Sequence, residues 1–459
     1  MSETPQLTWT ARLGWAFGQS AIASHMAIIS VYLLFFLTEA HHVPAALAGA
    51  VLLIPRIWNV VTDPLVGAIS DRTRSRWGRR RPYLLFGSLL WGAAFIAMFC
   101  MPRLDSPTAA AMLFCVMFLF VNTGVSLYHV PYSAMAPEMV SDYRGRLSLV
   151  GYKEMAARIA VLAAISIAPL LIAAAPDQLA GYRYVGIAFG GLIVLSGLVA
   201  FVTTANAPCV AFEPQAMTLR DQLQTLRQNR PLAQLSIAYL IANIADAAFA
   251  GMLIYFVTVV AKQSPAVMGV LYPLGAVTSV FMTPVWAKLG ARFGKREACI
   301  AAYVGLGLCW LALLVLPAGQ WWWLYPLMIV FGFFNAGEQL LPNAMVPDTV
   351  EYDEMISGAR REGTIYGAWV FVQQTGMAFG SFLVGVLLST IGFTGVESAD
   401  EGVALGVRYT IAVLPALCVF VGVLIIRRYP LSVAEFARIQ TILAERRAPL
   451  REERDARVV

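Results

Sequence analysis

Twelve stretches of roughly twenty mostly apolar residues recur along the chain, and no other feature restricts its fold so tightly. They run at about 14–38, 46–70, 83–102, 108–131, 151–174, 184–205, 232–260, 267–289, 298–317, 322–346, 364–391 and 404–427. A backbone amide inside a bilayer has no water to bond. Each stretch must therefore satisfy its own N–H and C=O groups, which a helix does and an open sheet does not. Composition agrees: 59% of residues are hydrophobic and 13% charged, where a soluble domain carries about 25% charged residues. The expected fold class is an all-α membrane protein with twelve transmembrane helices.

The net charge of +6 does not indicate nucleic acid, because the Lys and Arg residues fall in short connections between apolar spans. Even-to-odd connections carry them: Arg72 to Arg81, Arg144 and Arg146, Arg220 to Arg230, Arg292 to Arg296, and Arg360 with Arg361. Odd-to-even connections are nearly bare: 39–45 and 318–321 have neither Lys nor Arg, and 103–107 has only Arg103. The positive-inside tendency puts the arginine-rich side, and both termini, in the cytoplasm. The start of the chain lacks a cleavable leader pattern, so the first span is expected to direct insertion. Trp321, Trp322 and Trp323 begin the tenth span as an interfacial aromatic belt. The six cysteines form no CxxC pair and read as buried free thiols.

The longest interior connection, 206–231, is expected to hold an amphipathic helix capped by Thr218, with Leu219, Leu223 and Leu226 on one face. It divides an N-terminal six-helix bundle (1–205) from a C-terminal one (232–427), and a cytoplasmic tail (428–459) follows. In the tail, Phe436, Ile439 and Leu443 form an apolar face that suits packing on the protein or on anionic headgroups. The halves echo each other. Ala134-Met135-Ala-Pro137-Glu138 answers Ala344-Met345-Val-Pro347-Asp348 at an offset of 210. Asp63-Pro64 with Gly78-Arg79-Arg80 answers Thr283-Pro284 with Gly294-Lys295-Arg296, at offsets of 220 and 216. Two pseudo-repeated six-helix bundles around a central cavity follow from this order.

The densest stretch is Arg56 to Pro82, an apolar helix carrying Arg56, Asn59 and Asp63, then a loop of arginines. Gly67-x-x-x-Asp71-Arg72 and Gly78-Arg79-Arg80-Arg81 resemble the loop between helices two and three of the major facilitator superfamily. More narrowly, four segments resemble the glycoside–pentoside–hexuronide:cation symporters, the melibiose-carrier group. They are Arg56-Ile-Trp58-Asn59-x-x-Thr62-Asp63-Pro64, Ser75-Arg-Trp-Gly-Arg-Arg-Arg-Pro82, Pro131-Tyr-Ser133 to Pro137-Glu138, and Arg360-Arg361-Glu362-Gly363. The resemblance covers all twelve spans. It implies the major facilitator fold, alternating access and coupled uptake of a small solute, often a sugar, across a bacterial inner membrane.

That resemblance also marks departures. Where the group has the first of two helix-two acids, this chain has Asn59; the second is Asp63. Spacing of four puts both on one helix face. Where the group has a helix-eleven lysine, Phe371-Val-Gln-Gln374-Thr-Gly376 offers Gln374, and in helix one only Gln19 stands near the expected acid. Losing an acid together with its basic partner is electrostatically coherent, since either alone would be an unpaired buried charge. Coupling by protons rather than sodium is the resulting expectation.

The candidate solute or proton residues are Gln19, Arg56, Trp58, Asn59, Asp63, His129, Lys153, Asp246, Glu338, Trp369 and Gln374. Asp246 and Glu338 are acids within apolar spans, which cost energy unless partnered or hydrated. His129 titrates near neutrality in its ordinary state. Lys153 stands near where the group has a solute-facing arginine. Glu154 and Arg158 have the i,i+4 spacing of a helix pair, and Trp58 and Trp369 offer rings for stacking or packing. Asp71, Arg72, Glu138, Arg144, Asp348, Glu351 and Arg361 are expected to form a cytoplasmic charge network linking the halves and breaking as the carrier opens. No nucleophile–base pair, metal cluster or phosphate-cradling loop is legible, so no enzyme and no cofactor are expected. The expected partners are a small solute, a proton and the bilayer, with the chain a monomer. The second reading is a facilitator, exchanger or symporter for an amphipathic solute such as a lysolipid or organic acid.

Overall fold

The structure is a computed structural model that describes residues 7–140, 143–207, 228–316, 320–358, 361–431, 435–443 and 445. Among these residues there is no strand. Among the described residues, twelve helices are long and apolar enough to cross a membrane. In order they are α1 (Trp9–Ile28), α2 (Ala45–Arg72), α3 (Arg81–Phe99), α4 (Pro107–Met139), α5 (Tyr143–Ala173), α6 (Gln178–Thr203), α7 (Arg230–Tyr255), α8 (Met268–Phe293), α9 (Lys295–Leu311), α10 (Leu324–Ser357), α11 (Glu362–Thr390) and α12 (Glu401–Ile426).

Short polar residues start several of them. Thr8, Ser106 and Asp177 accept hydrogen bonds from the amides of Ala11, Ala109 and Ala180, at 3.3, 3.3 and 2.7 Å. Each bond satisfies one of the amides that a helix start leaves bare. The expected linker helix with Leu219, Leu223 and Leu226 lies outside the described residues, as does Cys209. The other five cysteines are free thiols. In the tail, Ile439 and Leu443 are buried, and the Lys295 ammonium sits 5.6 Å from the Phe436 ring centre. The tail's apolar face therefore packs on the protein.

The helices overrun the apolar windows at the arginine-rich end. α2 continues through Asp71 and Arg72, α4 through Pro131 and Pro137 to Glu138, and α10 through Pro342 and Pro347 to Glu351 and Asp353. Charges expected in loops are thus carried on the last turns of helices. A helix keeps its backbone bonds in water as in lipid, and nothing in the sequence forces it to stop where hydropathy does.

The structure also shows a repeat the sequence hides. α1 runs on through π-helical turns at Ile29–Leu33 and Phe36–Ala40, and α7 through one at Phe256–Val260. Each run ends at a residue with φ of 52°, His42 and Lys262. Each then closes with one backbone bond of 2.9 Å, Val43 N–H to Leu37 O and Gln263 N–H to Val257 O. Both pairs are offset by 220 residues. α1 and α7 are also the most buried spans, with 78% of the apolar window buried in each.

The chain forms two compact units. One holds 1–214 with 250–273 and 381–407; the other holds 215–249, 274–380 and 408–459. The first unit thus draws in pieces from both halves of the sequence, at the end away from the arginines. There Thr38 Oγ1 and Tyr255 Oη are 2.8 Å apart, and the Val396 amide donates to Glu39 Oε2 at 3.2 Å.

Gly78 and Gly294 lead into α3 and α9 with φ of 88° and 93°. A Cβ on Gly78 would touch nothing within 4 Å. Gly78→Ala is therefore expected to cost only the left-handed backbone strain, about 1–2 kcal/mol, read as a lower thermal-shift midpoint in detergent. His41 lies between the rings of Phe36 and Phe114, at 4.9 and 4.7 Å, with neither ring nitrogen bonded. Burial foremost, then the Arg103, His42 and Arg183 charges, pushes it down from 6.5 to about 4. A lowered base destabilises the fold as pH falls. The thermal midpoint of the wild type should therefore drop between pH 6.5 and about 4, and His41→Leu should flatten that drop.

Candidate functional site

In the first unit, α2 and α4 are joined by a ladder of polar side chains. Trp58 Nε1 donates to Thr123 Oγ1 at 3.0 Å. Asn59 Nδ2 donates to Asn122 Oδ1 at 3.1 Å. Thr62 and Ser126 hydroxyls meet at 2.9 Å, and Ser126 donates to Asp63 Oδ1. Partners differ by 63 to 65 positions, so two parallel polar stripes face each other. Asn122 spends its own NH2 on the Phe118 carbonyl at 2.8 Å, which leaves its oxygen to accept from Asn59. The Asn59 oxygen is buried and bonded to nothing, and so is Gln19 Oε1 on α1.

Asn59 and Asp63 share a face, as the spacing predicts. Arg56 is half-buried on the same helix but, among the described residues, pairs with neither Asp63 nor another carboxylate. Asn122, Thr123 and Ser126 were not among the residues singled out from sequence. Their signal was present as polar residues at i, i+1 and i+4 in an apolar helix.

On α4 and α5, His129 is within electrostatic reach of Lys153. Lys153 Nζ lies 3.4 Å from Glu154, so Glu154 pairs with its neighbour and not with Arg158 as its helix spacing suggests. Glu154 is exposed and Lys153 has a long flexible stem. An exposed i,i+4 pair gains only a few tenths of a kcal/mol and is easily displaced.

The second unit holds a deeper network. Gln339 Nε2 donates to Asp246 Oδ2 on α7 at 2.7 Å and to Glu338 Oε2 at 2.8 Å. Asn335 Nδ2 adds a weaker bond to Glu338 Oε2 at 3.4 Å. Beyond it, Asn343 Nδ2 donates to the Gln339 carbonyl at 2.7 Å, and Trp369 Nε1 on α11 donates to Asn343 Oδ1 at 2.9 Å. Trp369 is 3% exposed and stacks on Tyr239 at 4.0 Å and 6°. One of its faces is taken, so it packs α11 on α7 and does not offer a ring to a solute. Gly376 and Gly380 make the same contact possible: a Cβ there would meet Leu240 O at 2.7 Å and Ile244 O at 2.5 Å. Gln374, five residues further along that helix, is exposed. Trp58, by contrast, keeps 43% of its surface.

The charges at the arginine-rich end fall into matched locks. In the first half, Arg80 Nη2 lies 2.6 Å from Asp71, Arg80 Nε 3.1 Å from Glu138, and Arg79 Nη2 2.6 Å from Glu138. Arg80 also donates to Ser70 Oγ at 2.8 Å. In the second half, Lys295 Nζ meets both oxygens of Asp348 at 2.7 and 2.8 Å, and donates to Ala344 O at 3.0 Å. Glu138 and Asp348 end the two A-M-x-P echoes, and Arg79 and Lys295 follow the two turn glycines. The sequence repeat is thus a repeated ion pair. Arg361 forks onto Asp353 at 2.8 and 2.9 Å, and this bond raises it above its ordinary range.

The expected network joined the halves. The ion pairs described for Asp71, Glu138, Asp348 and Arg361 each join residues of the same half. Each half carries its own acid and its own base. Arg72 and Glu351 form no ion pair among the described residues, and the side chain of Arg144 lies outside them.

Comparison with known proteins follows the same lines. The family model described as MFS/sugar transport protein matches residues 14–433. The chain is 26% identical over 448 residues to the glucuronide carrier protein homolog of Escherichia coli K12, covering 95% of each chain. It is 27% identical over 453 residues to the putative glycoside/cation symporter YagG of the same organism, covering 96% of each. In fold it resembles a bacterial homolog of the human lysosomal transporter Spinster, solved in an inward-facing, unoccupied conformation. That match has a TM-score of 0.67 at 13% identity and covers 94% of this chain and all of the other.

The two locks differ in depth. Arg80 and Glu138 side chains are 4% and 5% exposed, whereas Lys295 is 41% exposed beside Asp348 at 11%. Arg80→Gln should cost more, on the order of 2 kcal/mol, because it takes one buried donor away from Glu138, Asp71 and Ser70 at once. Lys295→Met should cost less, about 1 kcal/mol, because water screens that pair. Thermal-shift midpoints of the two variants, with Asp348→Asn rescuing Lys295→Met, check the ranking.

Proposed function

The chain belongs to the MFS/sugar transport protein family, and from that premise we propose that it carries a glycoside or related sugar into the cell together with a proton. It is a multi-pass membrane transporter with twelve apolar helices. The reading adds that the halves 1–205 and 232–427 alternate access to a solute between them. It also places both termini in the cytoplasm and the chain, as a monomer, in a bacterial inner membrane.

The observation that carries the coupling ion is the Asn59–Asn122 bond at 3.1 Å. A sodium ion is held by oxygens and net negative charge. At the position where the family resemblance puts the first acid, this chain turns an NH2 group toward its neighbour. Gln374 replaces the basic partner. The remaining carboxylate of that stripe, Asp63, is held by Ser126. Asn59 takes away one of the negative charges that a sodium site needs, while carboxyls elsewhere can still take up a proton.

The unbonded oxygens of Asn59 and Gln19 support a sugar. A buried carbonyl without a donor is costly, and a solute hydroxyl is such a donor. Relatives named for glucuronide and glycoside transport fit this chemistry.

The test is uptake into proteoliposomes of the purified full chain, using methyl and phenyl glycosides, hexuronides and a lysophosphatidylcholine as probes. Proton and sodium gradients are imposed separately. A glycoside should accumulate with an inward proton gradient and be indifferent to sodium. Sodium-driven accumulation, or uptake of the lysolipid alone, would refute the reading.

A further inference from the structure

We propose that the coupling proton is carried by a two-carboxyl site in the second half, Asp246 on α7 and Glu338 on α10, bridged by the Gln339 amide. The proposal rests on the proton-linked reading above. It departs from the α2–α4 stripe, where the family resemblance would look for the ion.

Three observations carry it. The first is that one NH2 group serves both acids, at 2.7 and 2.8 Å. Two ionised carboxylates held against one neutral donor repel each other, and a shared proton removes the conflict. The second is that Glu338 has no exposed surface, and its Oε1 is buried with no partner. An ionised oxygen in that position would keep a full demand for donors that nothing meets; a neutral carboxyl has far less to lose. The third is the absence of a counter-charge. The titratable groups facing the pair are Tyr239 on α7 and Cys299 and Tyr303 on α9. All are acids that are neutral at ordinary pH, and Tyr303 Oη is itself buried and unbonded. Among the described residues, no Lys, Arg or His forms an ion pair with either carboxyl.

The bridge also selects the ion. A metal cation between the carboxyls would need oxygen ligands where Gln339 presents N–H groups. A proton needs only one carboxylate oxygen, and the amide can hold the other carboxylate at the same time. The step is a simple one. An O–H bond forms between a carboxylate oxygen and a proton from water on one side of the membrane. It breaks to water on the other side, and no further reactant takes part. One turn along α10 from the bridge, Asn343 bonds the Gln339 backbone carbonyl and accepts from Trp369, which packs at the α7–α11 contact where glycines hold the backbones close.

The test uses the full chain in proteoliposomes and the glycoside that the wild type accumulates. Asp246→Asn and Glu338→Gln should each lower proton-driven accumulation by roughly ten-fold or more, the scale of an ordinary coupling free energy. Both should keep solute exchange at equal pH on both sides, which needs no net proton movement. Wild-type accumulation in both variants would overturn the proposal, and so would loss of exchange along with accumulation in a variant that elutes as folded protein. A second measurement needs neither variant nor solute. Dicyclohexylcarbodiimide, which attacks protonated carboxyls in apolar surroundings, should label Glu338 or Asp246 of the wild type, with less label as pH rises. Label on Asp63 with none on the pair would also overturn the proposal. Sodium-driven uptake by the wild type would instead remove the reading on which the proposal rests.

Discussion

A polar side chain inside an apolar helix has to be answered from a neighbouring helix, and the interior of this protein is arranged around that requirement. Lipid supplies no donor and no acceptor. Asn59, Thr62 and Asp63 are answered by Asn122 and Ser126 across the α2–α4 contact. Asp246 on α7 is answered by Gln339 on α10, and Trp369 on α11 by Asn343 on α10. Each answer fixes two helices in rotation and in height, because a bond near 3 Å tolerates little of either. The polar residues therefore specify helix pairing in a chain whose apolar residues would pack on one another almost indifferently.

The same requirement explains where charge survives. At the arginine-rich end, helices leave the apolar windows and carry acids and bases on their last turns. There each half closes its own lock, Arg79 and Arg80 with Glu138, and Lys295 with Asp348. Deeper in the apolar spans, the residues that the family resemblance would make charged are amides. A buried ion pair is stable only while both partners stay, so it is lost as a pair or kept as a pair.

Much of this was legible in the sequence and some was not, for physical reasons. Twelve spans were legible because hydropathy over twenty residues is a strong local signal. Their ends at Met139 and Ser357 were not, because a helix needs no apolar residues once it is outside lipid. The matched locks were half legible. The repeat A-M-x-P-[DE] and the turn G-[RK]-R announced acids and bases in both halves, but their pairing within a half depends on geometry. The ladder was visible from one side only: Asn59 and Asp63 stood out in a charged stretch, while Asn122 and Ser126 sat in a span that otherwise reads as packing. Asp246 and Glu338 were each visible as misplaced acids. That they meet is a fact about sites 92 residues apart, which no spacing rule reaches.

The placement of the two polar clusters bears on how coupling can work. A solute site and an ion site that share residues compete directly for charge, and each ligand then reshapes the other's contacts. Here the unbonded acceptors Asn59 and Gln19 belong to one half, and the carboxyl pair belongs to the other. Ligands on different halves can communicate only through the conformations that both halves share, each ligand shifting the equilibrium by its differential affinity. Such an arrangement relaxes the demand that the solute carry a particular charge. Under the proposed proton site, the close α7–α11 packing at Gly376 and Gly380 is the helix contact through which protonation of the pair would act.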